Sequence, residues 1–457
     1  MQASVKPPPA PVAFKDAVKV WARVALLSFG GPAGQIAVMH RILVEERRWI
    51  GERRFLQALN FCMLLPGPEA QQLAIYIGWL MHRTRGGVVA GVLFVLPGLV
   101  TLMMLSVLYA LYGRLGVVTG LFFGLKAAVL VVVIQAVLRV GRRALKSPLM
   151  IALAASAFVA LFVFGAPFPA VIGAAGAIGF LGGRWGLAAF RAGQGHGPAA
   201  TQEVDDADTV LGEETPAHAR IDLRASLPVC ALLLVLWWGP VLALGWTLGW
   251  DHVFSRIALF FSKMAVVTFG GAYAVLAYVA QEAVSAYGWV SPGEMLDGLG
   301  MAETTPGPLI IVTQFVGFLA AFRGATGLPP VLAGVLGGLL TTWVTFTPCF
   351  LWIFLGAPFV EALRGARALA AALAAIGAAV VGVILNLAVW FALHVLFARM
   401  VPIPGLALQL PDLASLNLAS GLLTLVAAVA AFRFKVGMIP LLVASSAAGV
   451  LVHVISS

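Results

Sequence analysis

Pro66-Gly67-Pro68 stands inside an apolar stretch, roughly residues 55 to 81, that would otherwise read as one membrane helix. Both prolines lack a backbone N–H and clash with the preceding turn, and Gly67 adds backbone freedom, so no helix continues through them. The triplet returns as Pro306-Gly307-Pro308, again in an apolar stretch. A break at membrane depth leaves N–H and C=O groups that hydrocarbon cannot satisfy, so they must be buried in protein or line a wet cavity. Paired breaks in matching places of two halves point to the binding site of a transporter.

Composition agrees. The 457 residues are 61% hydrophobic and 11% charged, against about 25% charged in an ordinary soluble domain. Apolar runs of about 20 residues follow one another, the length a spanning helix needs. The expected fold is an all-α polytopic membrane protein; the alternating strands of a membrane barrel are absent. Cys62, Cys230 and Cys349 are scattered singly, which makes neither a disulfide framework nor a metal site. His40, His82 and His394 sit singly at span ends without metal-ligand spacing. No Walker phosphate loop and no haem or iron–sulfur ligand pattern occurs, which argues against ATP hydrolysis by this chain and against a membrane redox enzyme. No cofactor is expected. The net charge of +10 reads as topology signal at the cytoplasmic face rather than as nucleic-acid binding.

Taken in order, residues 1–13 read as a disordered leader. From Phe14, Lys15, Lys19 and Arg23 form one basic stripe. This suits an amphipathic helix on the cytoplasmic membrane surface, or a helix whose Arg23 faces a substrate path. Ser28-Phe29-Gly30-Gly31-Pro32 is a second kind of break. It opens the next helix with Pro near its first position, and an opened N-terminus offers free N–H groups and partial positive charge to an anion. Spans are expected at about 86–112, 115–138, 148–165 and 167–190, with Arg139, Arg142, Arg143 and Lys146 in a cytoplasmic loop. The acidic stretch 191–224 reads as a disordered cytoplasmic linker. A connecting transmembrane helix, 225–250, carries Trp237 and Trp238 as interfacial anchors. Spans at about 329–355, 369–397, 413–432 and 436–455 follow.

The region 14–190 is repeated in 251–457. Phe29-Gly30-Gly31 becomes Phe269-Gly270-Gly271, Trp49 becomes Trp289, and Arg23 becomes Lys263, all 240 positions on, as 67 is to 307. A gapless match of about 45 positions that carries Gly, Pro and Trp marks a duplication. One extra span between units of equal span number inverts the second unit. Charge agrees: Arg41, Arg47, Arg48, Arg53 and Arg54 have no basic counterpart in 281–294. The N-terminus and the linker are then cytoplasmic and the C-terminus periplasmic. The broken segments read as re-entrant hairpins, because every basic loop then lies inside; a fully crossing pair remains the alternative, and both preserve the inversion.

The Phe-Gly-Gly-Pro start, Glu46-Arg47-Arg48-Trp49, Leu64-Leu65-Pro66-Gly67-Pro68 followed by Gln72-Leu73-Ala74-Ile75-Tyr76, and Glu303-Thr304-Thr305-Pro306-Gly307-Pro308 resemble the chromate ion transporter family in its long, two-half form. The resemblance covers nearly the whole chain. It implies a bacterial inner-membrane exporter of chromate that confers resistance, with sulfate as the chemical look-alike. Chromate and sulfate are tetrahedral dianions, and the residues suit such cargo. Gly30, Gly31, Gly270 and Gly271, with Pro66-Gly67-Pro68 and Pro306-Gly307-Pro308, supply helix ends. Ser28, Thr268, Thr304 and Thr305 supply hydroxyls; Gln71, Gln72 and Gln314 supply amides; Arg23 and Lys263 are the cations nearest the breaks. Glu69 and Glu303 flank the two triplets at membrane depth, where a carboxyl group is costly and usually functional. They are expected to carry protons exchanged against the anion. Proton motive force or a counter-anion would drive transport, and a homodimer is the expected assembly. A passive anion channel and a carrier of another oxyanion such as sulfate remain open.

Overall fold

The computed structural model describes residues 12–187, 204–213, 216–219, 223–269, 271–325, 327–357, 367–406 and 408–456. Residues 1–11 of the expected leader, the ends of the linker and Gly270 lie outside the described residues. The described chain is almost wholly helical, an all-α polytopic membrane protein. Its first half comprises α1 (Phe14–Leu27), α2 (Gly31–His40, continued as a π turn, Arg41–Glu46), α3 (Glu52–Cys62), α4 (Glu69–Tyr112), α5 (Gly116–Ala144), α6 (Pro148–Phe162) and α7 (Phe168–Arg184). After α8 (Leu223–Leu248) come α9 (Val253–Val267), α10 (Ala272–Ala280, with a π turn, Gln281–Ala286), α11 (Pro292–Thr304), α12 (Val312–Gly324), α13 (Pro330–Gly356), α14 (Arg367–Leu396), α15 (Leu418–Phe432) and α16 (Met438–Ser456).

The helices that lead into the breaks are too short to cross. At 1.5 Å per residue, the 14 residues of α1 reach about 21 Å and the 11 of α3 about 17 Å, against a hydrocarbon core of about 30 Å. They fold as hairpins. His82, at a bend within α4 where Arg83 has φ 55°, donates to Val12 O (2.8 Å), just ahead of α1. The carbonyls of Arg48 and Trp49 accept from Val210 and Leu211 of the linker, and Trp79 O accepts from His218. The start of α1, the turn between α2 and α3, and the bend of α4 therefore share one face, which we call the mouth of the first half. The bends at Gly30-Gly31 and Pro66-Gly67-Pro68 are the hairpin tips.

The second half repeats this. Arg323 at the end of α12 donates to Trp289 O (3.2 Å) and pairs with Glu294, and Gly324 packs on Val253 at the start of α9. The sequence repeat is also a packing repeat: the Trp21–Trp49 and Phe261–Trp289 ring centroids are both 6.2 Å apart.

Two long helices join the mouths. Beyond its bend, α4 packs Gly86 against Gly78, passes Pro306 at Gly98, and places Tyr109 beside Asp297, three residues from Glu294. In the other direction, α13 packs Gly337 on Gly317, passes Gly67 at Cys349, and ends with Gly356 beside Phe61. The part of α4 beyond its bend and α13 each start at the mouth of their own half, pass the tip of the other and end towards the other mouth. The remaining helices exchange partners likewise: α14 packs on α5, α6 and α7, while α5 packs on α15 and α16.

Four expectations change. α1 is more than a surface helix: it buries Ala17, Val20, Trp21 and Val24 along α4 while its basic stripe stays exposed. α5 runs on to Ala144, so Arg139, Arg142 and Arg143 lie on a helix rather than in a loop. The described linker is docked, with Val204 O accepting from Glu52 N and Asp206 paired with Arg53, because its acids meet the basic turn of the first mouth. Trp237 is buried and donates to Ser262 Oγ, so it anchors α8 to α9 rather than to the interface. A short hairpin, β1 (Met400–Pro402) with β2 (Gln409–Pro411), was too short to show a period.

Arg47 and Tyr287, 240 positions apart, are both exposed at the two mouths. A membrane-impermeant maleimide is expected to label Arg47→Cys and Tyr287→Cys from opposite sides of the membrane; labelling from one side would contradict this arrangement.

Candidate functional site

The tips of the two halves meet through two backbone hydrogen bonds. Gly67 N–H donates to Thr268 O (2.9 Å), and Gly307 N–H donates to Ser28 O (2.8 Å). Ser28 and Thr268 are equivalent positions, as are Gly67 and Gly307, so each Pro-Gly-Pro turn closes the helix end of the opposite half. The turns have φ 120° at Gly67 and 98° at Gly307, backbone that only glycine adopts without strain. Each bond pairs a donor and an acceptor that the membrane interior would leave bare, a loss of several kcal/mol per group.

Around this junction three helix N-termini open without a side-chain cap: α2 after Gly30, α4 after Pro68, and α10 after Gly271. Their free N–H groups and partial positive charge suit an anion. The hydroxyls do not add to them. Ser28 donates to Val24 O, Thr268 to Met264 O, Thr304 to Met301 O and Thr305 to Ala302 O, the back-bonding typical of Ser and Thr in helices. Thr304 is exposed on an apolar groove instead. Gln72 holds Pro66 O (2.7 Å), Gln35 holds Gly307 O (2.6 Å), and Gln314 turns to Met103. Gln71 differs: it is fully buried in the first turn of α4, and neither amide atom has a partner among the described residues.

The two carboxyl groups reach the breaks crosswise. Glu69, of the first half, lies against Gly271 of the second, where an added Cβ would sit 3.4 Å from Glu69 Oε1. Glu303, of the second half, is 1% exposed and accepts from Tyr273 OH (2.7 Å). That hydroxyl in turn lies beside Gly31. Glu303 Oε2 has no partner among the described residues.

Arg23 and Lys263 do not come to the junction. Arg23 pairs with Glu46 (2.7 Å), and Lys263 is exposed and faces Glu282. The cations near the breaks come from the second half of α5 and the turn that follows it. Arg139 lies close enough to Glu303 and Tyr273 to interact electrostatically with both. Arg143 and Lys146 line a cavity of about 330 Å³ that also reaches Gly67, Glu69 and Gly271. Reading these residues as topology signal hid them. The i, i+4 spacing of Arg139 and Arg143 was the available clue that they share a helix face, with Lys146 just past its end. A larger cavity, about 700 Å³ between α4, α5, α11 and α16, is walled almost wholly by apolar side chains and offers an anion nothing.

Among the described residues no group of His, Cys, Asp and Glu is placed to hold a metal. His40 lies between Glu45 and Glu52, and His394 bonds Trp390 O. The three cysteines are buried and unpaired, and Cys349 packs on Gly67.

The chromate transporter family model matches residues 15–180 and 255–451, which is both halves without the linker and α8. The chain belongs to the chromate transporter family. It is 29% identical to the chromate transport protein of Pseudomonas aeruginosa, over 82% of this chain and 80% of that one. It is 26% identical to the chromate transport protein of Cupriavidus metallidurans, over 95% and 92%. A probable chromate transport protein of Synechococcus elongatus is 25% identical over 76% and 77%. No solved structure matches the chain. In this family member the matched segments contain every residue of the junction and every cation of α5.

Gly67→Ala and Gly307→Ala each force a left-handed backbone on an L residue, at a cost of about 1–3 kcal/mol. Both are expected to lower the melting temperature in detergent by similar amounts. Gly377→Ala, with nothing within 4 Å of the added Cβ, is expected to leave it unchanged.

Proposed function

We propose that this protein is a secondary active transporter that exports chromate across the bacterial inner membrane, driven by proton motive force or by anion exchange. The observation that carries this reading is the cavity beside the junction. It is lined by the Pro-Gly-Pro turn of one half and the glycine break of the other, Gly67 with Gly271, and Arg143 and Lys146 add two cations to an otherwise largely apolar lining. A dianion entering from the linker side would meet Arg143 and Lys146 first, then the helix N-termini and the Gln71 amide. Glu69 lines that cavity and Glu303 reaches the Gly31 break through Tyr273, and both are placed to hold protons that move in exchange. Few cations and many backbone dipoles bind a dianion without holding it too tightly for release.

The two mouths, at opposite ends of α4 and α13, support inverted halves. A unit that rocks about the junction would expose the same site to either face, the alternating access associated with inverted repeats. Sulfate shares the shape and charge of chromate and is expected to compete.

The test is chromate uptake into everted membrane vesicles energised by respiration. Uncoupler-sensitive accumulation that excess sulfate reduces is the expected result; equilibration without accumulation would mean a channel, and no flux would remove chromate as cargo. In the same assay, Arg143→Gln is expected to raise the half-saturating chromate concentration about tenfold, equivalent to about 1.4 kcal/mol. Glu69→Gln and Glu303→Gln are expected to lose the uncoupler-sensitive component; a variant that keeps it in full takes that residue out of the coupling.

A further inference from the structure

On the far side of the junction, α5 and α11 carry an ion pair that the path described so far does not use. Lys126 Nζ lies 3.3 Å from Asp297 Oδ1, and Tyr109 OH of α4 donates to Asp297 Oδ2 at 2.9 Å. Asp297 is 4% exposed, and Lys126 also touches Gly293 at the first turn of α11. The pair sits between Glu303 at the junction and Glu294 with Arg323 at the second mouth. Around it the helices close tightly. The Tyr109 ring is held edge-on between Phe122 and Phe315, with centroids 5.1 and 5.2 Å away, and Gly298 and Gly300 admit Phe315 and Leu125 against the α11 backbone. The first half has no such pair, since the position equivalent to Asp297 is Gln57.

A pair of a buried Asp297 with a half-buried Lys126 is costly to assemble within a membrane, where ionisable residues mark ion pathways. Here it lies in line with the junction, at the end opposite the open cavity. We propose that Lys126 is a second anion station, on the exit side, and that Asp297 occupies it as a built-in anion while that side is closed. A dianion leaving the junction displaces the Asp297 carboxylate from Lys126. The carboxylate is released to Tyr109, and the seam between α5 and α11 parts towards the second mouth. When the anion has left, Asp297 returns to Lys126 and closes the seam. This assigns the two halves different work, with entry cations on α5 beside the first tip and an exit lock beside the second. The inference rests on the transport reading above.

The test uses reconstituted full-length protein at matched membrane abundance, comparing wild type, Asp297→Asn, Lys126→Gln, the exchanged pair Lys126→Asp with Asp297→Lys, and Tyr109→Phe. Energised chromate accumulation and passive loss of preloaded chromate are both measured. Each single charge variant is expected to lose accumulation and to leak preloaded chromate faster than wild type. The exchanged pair is expected to recover accumulation, and Tyr109→Phe, which alters no charge, to leak less severely in the same direction. Wild-type accumulation by the single variants overturns the proposal, as does lost accumulation with no faster leak. If the single variants fail to insert, the exchanged pair and Tyr109→Phe decide: no recovery in the first and no leak in the second overturns it. A wild type that does not accumulate chromate removes the transport reading and this proposal with it.

Discussion

The backbone of a broken helix must find partners inside the membrane, and in this protein each half finds them in the other. Gly67 bonds Thr268 O and Gly307 bonds Ser28 O. Neither tip could close alone, because a Pro-Gly-Pro turn has one N–H left to give and its own helix cannot take it. This mutual dependence explains the rest of the architecture. α4 and α13 run past the opposite tip because that tip needs walls. The glycines along them, such as Gly98 against Pro306, permit the approach. The hairpins stay short because their tips have to stop where the partner tip begins.

Charge is distributed sparingly around that contact. Hydroxyls are spent on helix carbonyls, the outer cations Arg23 and Lys263 are engaged by Glu46 and Glu282, and the positive charge beside the junction comes from helix dipoles and one face of α5. The asymmetry is instructive. The duplicated frame supplies equivalent glycines and prolines, yet Glu69 follows its triplet and Glu303 precedes its own. Each still reaches the glycine break of the opposite half, Glu303 through Tyr273. The frame keeps a two-fold relation while the ionisable groups do not, as expected where the two faces of a membrane do different work.

Much of the frame was legible in the sequence because glycine and proline act locally and repeat at a fixed spacing. The tips, the duplication and the hairpins follow from that and from the bias of Arg41 to Arg54. Pairing between distant backbone groups was not legible, since nothing near Gly67 names Thr268 as its partner. Nor was the docking of Val204 to Leu211 on the first mouth, which uses main-chain bonds that leave no period. Arg139, Arg143 and Lys146 were missed for a different reason: the same residues serve as topology signal and as local charge, and the first reading masked the second. Thr304 and Thr305 were over-read, although a hydroxyl in a helix commonly donates to a carbonyl three or four residues back.

The central claim is that the oxyanion binds where the two tips meet. Its most direct test is a structure of the protein soaked with chromate, with chromium located by its anomalous scattering. A chromium peak between the Pro66-Gly67-Pro68 turn and Gly271, within reach of Gln71 and of the open end of α4 or α10, is the expected result. A peak confined to the Arg23 or Lys263 surface, or to the apolar groove between α4 and α16, would contradict it.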